Sequence, residues 1–139
     1  MKYKIENSGK STKFNLKFAK PMKKKKQSKT TLKNKADKLF SLFVRSLDHC
    51  EKCGSVNNLQ AAHVYSRRYV NLRYDIYNVL CLCAKCHLEW HHSPLEALMW
   101  FNQAYKDRVQ YLLEKKQEIK RWTVADYERT IEEIKNYVR

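Results

Sequence analysis

The sequence predicts an α+β fold, a small core of short strands organised by clustered cysteines, flanked by helices and preceded by a basic arm. Three observations predict it. Two Cys-x-x-Cys pairs, Cys50-Glu51-Lys52-Cys53 and Cys83-Ala84-Lys85-Cys86, bracket a central stretch rich in turn residues. An apolar run, Val79-Leu80-Cys81-Leu82, stands directly before the second pair and reads as a short strand. Apolar residues recur at three- and four-residue steps on both sides of this stretch, as they do on amphipathic helices. A chain of 139 residues with 43% hydrophobic content is enough for one domain with a modest core.

The first segment, 1–32, is rich in Lys, Ser and Asn and includes the block Lys23-Lys24-Lys25-Lys26. It is expected to be a flexible, phosphate-seeking arm, or else a solubilising tail. Phe14, Leu16 and Phe18 alternate over a few positions and are compatible with one short strand. The rest, 33–139, is the expected folded domain. Its first element is a helix over 33–48, set by Ala36, Leu39, Phe40, Phe43, Val44 and Leu47. The core occupies 49–92, with the turn signal Cys53-Gly54-Ser55. Two C-terminal helices fill 93–139. The first opens at Ser93-Pro94-Leu95-Glu96, with Ser93 as N-cap, proline at the first helical position and Glu96 completing a capping box. Leu95, Leu98, Met99, Phe101, Ala104, Tyr105, Leu112 and Leu113 then predict one long helix with a broad buried face, ending near Gln117. Thr123 and Asp126 cap the last helix, which carries Val124, Tyr127, Ile131, Ile134 and Val138.

The formal net charge of +15 favours a polyanionic partner, because each Lys or Arg set against a phosphate releases condensed counterions. Nucleic acid is the expected partner class; a ribosome-associated or merely soluble basic protein has the same composition. No apolar run approaches the roughly 18 residues of a membrane span, and no apolar signal core follows the first lysines. The expectation is therefore a cytoplasmic protein without a membrane partner. Five cysteines are an awkward number for a disulfide framework, whereas two Cys-x-x-Cys pairs in a reducing compartment read as metal ligands. Cys50, Cys53, Cys83 and Cys86 thus predict a closed tetrahedral site for one structural Zn²⁺. Cys81, two residues before Cys83 in the apolar run, is assigned to packing.

His87 and His91 stand four apart in Cys86-His87-Leu88-Glu89-Trp90-His91, which on a helix puts both imidazoles on one face, as two ligands of a second ion require. Taken with them, Ala62-His63, Asn78-Val79-Leu80 and Leu82-Cys83-Ala84-Lys85-Cys86-His87 resemble the HNH endonuclease family in order and spacing. The resemblance covers roughly residues 50–92. From His63-Val64-Tyr65-Ser66-Arg67-Arg68 through Leu72-Arg73-Tyr74-Asp75 to Asn78, it is similar to phage-type members that act in DNA recombination.

The resemblance implies a ββα-metal fold, in which a β-hairpin carries the base and the following helix carries metal ligands. His63 takes the place of the general base, Asn78 the middle place that orients that histidine or the metal, and His87 and His91 the places that ligate a catalytic divalent ion (Mg²⁺, Mn²⁺, Ni²⁺ or Zn²⁺). The implied activity is hydrolysis of DNA phosphodiester bonds, nicking or cutting duplex or branched DNA. One departure stands out: many members carry a metal-ligating Asp or His just before the base, where this chain has Ala62. Neither His92, turned about 100° from His91, nor His49, beside the first cysteine pair, is placed to replace it.

Arg67, Arg68 and Arg73 follow the base closely, and the planar guanidinium suits bidentate phosphate contact. Surface salt bridges with acids such as Asp75 or Glu89 are the competing expectation. Tyr65, Tyr69 and Tyr74 can stack on bases but are expected to pack among strands. A single active site implies nicking unless two copies meet, and the apolar helices would support a homodimer. Two other functions share the four thiolates and the charge: a non-catalytic zinc-finger nucleic-acid-binding protein, and a small zinc protein of the translation apparatus.

Overall fold

The first helix begins at Ser28, whose hydroxyl accepts the Thr31 N–H at 3.2 Å as N-cap. The computed structural model describes residues 25–138. The possible strand around Phe14, Leu16 and Phe18, and Lys23 and Lys24 of the basic block, lie outside the described residues; Lys25 and Lys26 are exposed. Helix α1 runs over Lys29–Arg45, so the expected boundaries of 33 and 48 both move toward the N-terminus. The cause is Leu32, which supplies the first step of an i, i+4 stripe with Ala36, Phe40 and Val44, all buried.

Strands β1 (Leu59–His63) and β2 (Val79–Cys83) form an antiparallel pair in which Ala61 faces Cys81 and His63 faces Val79. Every residue of β2 is buried, because helices cover both of its faces. Leu80 and Leu82 point into a cluster with Leu72, Phe101 and Leu112, while Val79 and Cys81 point into one with Phe40, Val44 and Ile134. The period-2 alternation of a strand thus serves two cores, which is why the segment reads as an unbroken apolar run. Cys81 is wholly buried, as its assignment to packing requires.

Helix α2 (Ala84–His92) follows β2 without a loop. The expected single helix after Ser93 is two: α3 (Pro94–Ala104) and α4 (Lys106–Lys115), broken at Tyr105, whose backbone (φ −136°, ψ 51°) is not helical. Tertiary contacts override the local periodicity here. The Tyr105 hydroxyl donates to Glu51 at 3.0 Å, and Arg108 of α4 donates to the carbonyls of Ile76, Tyr77 and Val79 at 2.7–3.2 Å. Ser93 makes no side-chain cap and no capping box forms with Glu96; its N–H instead closes α2 on the Glu89 carbonyl. The broad buried face is also narrower than expected: Ala97, Phe101 and Leu112 are buried, but Leu95, Leu98, Met99 and Leu113 are exposed.

Helix α5 (Val124–Tyr137) has the expected capping box. Thr123 Oγ1 accepts the Asp126 N–H at 3.2 Å, and Asp126 accepts the Thr123 N–H at 2.8 Å. Tyr127, Ile131 and Ile134 are buried against α1, whereas Val124 and Val138 stay exposed. The result is an α+β domain, with the hairpin and α2 between an α1–α5 layer and an α3–α4 layer. Among the described residues no helix is long and apolar enough to cross a membrane.

Candidate metal centre and histidine cleft

The first cysteine knuckle is a tight turn hung on the free edge of β2. Gly54 sits at φ +75°, a left-handed conformation that favours glycine, and its N–H donates to the Cys50 carbonyl at 2.8 Å. Glu51 pairs with Cys81 as an added strand residue would: its N–H donates to the Cys81 carbonyl at 2.8 Å and its carboxylate accepts the Cys81 N–H at 2.6 Å. The second knuckle needs no turn of its own. Cys83 ends β2 and caps α2 through its sulfur, and Cys86 lies in the first helical turn.

These placements bring the four sulfurs within 4.8 Å of one another, with Cys53 Sγ and Cys83 Sγ at 3.7 Å. A tetrahedral zinc site with bonds of about 2.3 Å has sulfurs about 3.8 Å apart, so the cluster fits and can hold a metal ion such as zinc. Burial opposes ionisation of Cys50, yet hydrogen bonds from the backbone at Cys83, Cys53 and Lys52 bring its thiol down to about 6. Cys86 is pushed the other way, by burial and by the neighbouring sulfurs. Four crowded thiols of this kind ionise together when a cation neutralises them. Cys81 is pushed up to about 11 by burial and by Glu51, which keeps it a thiol outside the cluster.

Directly after Cys86, α2 presents His87 and, one turn further on, His91, with their Nε2 atoms 3.1 Å apart. Gln60 of β1 accepts from His87 Nδ1 at 2.6 Å, which leaves the lone pair of His87 on Nε2. Two imidazoles on one ion, with bonds of about 2.0–2.1 Å, can keep the observed separation. Burial, and then the charge of His91, hold the His87 imidazole below its ordinary value, which favours the neutral, ligating form.

His63, at the end of β1, faces the same cleft, a cavity of about 380 Å³ walled by His87 and His91 on one side and by Phe40 and Asp37 of α1 on the other. Its Nε2 lies 3.3 Å from the carbonyl of Arg73, and since a carbonyl only accepts, Nε2 carries the proton and Nδ1 is the free acceptor. Burial, opposed by that bond and reinforced by the charges of Arg67 and Arg73, holds the His63 imidazole below its ordinary value. The hairpin and α2 therefore gather the three histidines that the sequence separates.

Other expected site residues fall elsewhere. Asn78 is fully buried and does not line the cleft. Its amide clamps the loop that follows His63, accepting from Tyr65 N at 2.7 Å and donating to the carbonyls of Tyr65 and Leu72 at 3.0 and 3.1 Å. Ala62 faces the core with no exposure, and it is Ala61 and His63 that line the cleft. Neither His49 nor His92 lines it.

Arg73 is not free to grip a phosphate. Its guanidinium is held by both carboxylate oxygens of Asp37, at 2.6 and 2.8 Å, and by the Arg67 carbonyl at 2.8 Å. Its partner is thus neither Asp75 nor Glu89; Asp75 accepts from the Tyr111 hydroxyl and Glu89 pairs with Lys52. Arg67 and Arg68 are exposed. The three tyrosines lie outside the strands: Tyr74 packs edge-on against Phe40, Trp122 and Tyr127 and donates to Asp37, while Tyr65 and Tyr69 meet edge to face under Lys116. Asp37 and Gln60 were not anticipated. The one available signal is that Asp37 is the sole acid in the Lys-rich α1; nothing local marks Gln60.

No family model, curated protein or solved structure matches this chain.

Proposed function

We propose that this chain is a metal-dependent endonuclease of the HNH, ββα-metal type that hydrolyses DNA phosphodiester bonds. One observation carries the reading: His63, with Nδ1 unprotonated, shares a single cleft with a His87–His91 pair whose Nε2 atoms converge at 3.1 Å. The order β1, β2, α2, with the base on the hairpin and the pair on the helix, supports it.

In this reading His63 Nδ1 takes a proton from water, while the Arg73 carbonyl keeps the ring in the required tautomer and orientation. Gln60 holds His87 with its lone pair turned to the cleft. A divalent ion held by His87 and His91, when bound, supplies Lewis-acid neutralisation of the charge that develops on the scissile phosphate. Asn78 acts at one remove, by fixing the loop from Tyr65 to Leu72 that carries Arg67 and Arg68 toward the phosphate backbone.

With Mg²⁺, Mn²⁺, Ni²⁺ or Zn²⁺, the purified protein is expected to cleave supercoiled plasmid or a four-way junction. His63→Ala lowers the rate about a hundredfold or more, the usual contribution of a general base, with an unchanged thermal melt. Wild-type protein inert under every metal and substrate overturns the reading. The pH profile is a second check. Because His63 is held below the ordinary imidazole value of about 6.5, the neutral base persists into mildly acidic solution, so kcat/KM is flat above pH 7 and falls only below about 6.5. An acid limb centred above that value contradicts the assignment.

A second reading, a non-catalytic zinc-binding nucleic-acid module, is favoured by Ala62, whose place in the core leaves the histidine pair without a third protein ligand on β1. Elemental analysis separates the two: one metal per chain under saturating conditions supports this module, and two support the nuclease.

A further inference from the structure

The cleft does not end at the histidines. Across Ser66 and Arg67 it opens into a second depression of about 610 Å³, walled by Lys33 and Asn34 of α1 and by Arg67 and Arg68 of the loop after β1. The two cavities share Asp37, Ser66, Arg67 and Arg73, so they form one continuous furrow. Its α1 wall runs from Lys33 to Ser41, and eight helical steps of 1.5 Å make it about 12 Å long. At about 3.4 Å per nucleotide this is the length of three to four nucleotides of a helical strand.

The unpaired charges along the furrow are of one sign. Asp37, the one acid among the described residues of either wall, is bound by Arg73, and the two neutralise each other. Lys33, Arg67 and Arg68 remain, and none of their side chains is in a salt bridge among the described residues. A neighbouring depression of about 400 Å³ shares His63, Ser66 and His91 with the cleft and is otherwise lined by Val64, Trp90, Pro94, Ala97 and Leu98, with no lysine or arginine among the described residues. Lys33, Arg67 and Arg68 therefore line the depression along α1 and not this apolar one.

We propose that this furrow is a one-sided phosphate track, in which Arg67, Arg68 and Lys33 contact successive phosphates of a single DNA strand leading away from the histidines along α1. It deepens the nuclease reading and rests on it for the place of the scissile phosphate, but not for binding. The regular spacing of like charges in a nucleic-acid backbone is what an open furrow of this length, with its Asp37 carboxylate already paired with Arg73, recognises, and it is read without regard to base sequence.

The test is fluorescence anisotropy of labelled duplex and single-stranded DNA over a series of salt concentrations, with full-length His63→Ala protein so that no strand is cut. Adding Lys33→Gln and Arg68→Gln removes two phosphate contacts. The slope of log K against log salt should become shallower by about 1.8 on duplex DNA, at about 0.9 per contact, and affinity at low salt should fall on the order of tenfold. The control pair Lys85→Gln and Lys106→Gln removes the same charge from exposed positions outside both cavities and should change affinity less than about twofold. Equal losses in the two pairs, or an unchanged slope in the first, overturn the track. Cleavage by the wild type is a separate readout, so a protein that binds through the track but never cuts refutes the nuclease and leaves the track standing.

Discussion

Removing the metal from Cys50, Cys53, Cys83 and Cys86, by chelation or by Cys50→Ser, is expected to abolish the cooperative thermal transition of this domain. Among the described residues the sheet has two strands, and a two-stranded hairpin is at best marginal on its own in water. The stretch between β1 and β2 contributes only Leu72 and Asn78 to the fully buried interior, and the first knuckle contributes Cys50. Closure of the four thiolates on zinc is worth about 10–16 kcal/mol in small zinc modules, which is comparable to the roughly 5–15 kcal/mol net stability of an ordinary domain. The histidine cleft goes with the knuckles, because α2 starts at the Cys83 cap and Glu51 ties the first knuckle to β2 and to Tyr105 of the α3–α4 layer. Far-UV circular dichroism should lose its sharp melt on chelation and regain it with added Zn²⁺. Cys81→Ala should retain zinc and the melt, at a cost of about 1 kcal/mol for the smaller side chain. A chelated protein that melts as the untreated one does contradicts this account.

What the sequence reveals of the fold follows how local each feature is. The cysteine spacings, the apolar run of β2 and the Thr123–Asp126 capping box each depend on residues within a few positions of one another, and each is found. The break at Tyr105 is illegible, because it is decided by Glu51 and by carbonyls about thirty residues away, while the intervening residues are good helix formers. Ser93 shows the converse failure: the local pattern of a capped helix start is complete, but closing α2 on the same residue leaves no room for it. In the site, the gathering of His63 with His87 and His91 could be anticipated by likeness, whereas the support of His63 could not. Arg73, which looks like a phosphate ligand beside His63, is claimed by an acid one helix upstream, and no spacing rule connects positions 37 and 73.

That support gives the second large effect. Asp37→Ala should destabilise the protein by about 3 kcal/mol and, under the nuclease proposal, reduce cleavage in molecules that remain folded. The side chains of Arg73 and Asp37 are only 13% and 18% exposed, and removing one member of a largely buried pair leaves the other charge uncompensated, at the low end of the usual 3–5 kcal/mol. The Tyr74 hydroxyl loses its 2.9 Å acceptor as well. The effect passes through the backbone: with its guanidinium left to the Arg67 carbonyl alone, Arg73 fixes less firmly the carbonyl that holds His63 Nε2. The pH dependence has a definite sign. Burial raises the Asp37 carboxyl, but hydrogen bonds from Arg73 and Tyr74 and the charge of Arg73 outweigh it and leave the carboxyl below its ordinary value. Its stabilisation is thus fully present above the unfolded value of about 3.9 and is lost as pH falls through the lower folded value. Urea melts of wild type and Asp37→Ala should therefore differ by a constant amount from pH 5 to 7 and converge below about 4. Asp37→Ala combined with Arg73→Ala should cost clearly less than the sum of the single changes, since neither charge is then stranded. Additive losses, or full cleavage by folded Asp37→Ala protein, would show that the carboxylate of α1 is an ordinary surface charge with no hold on His63.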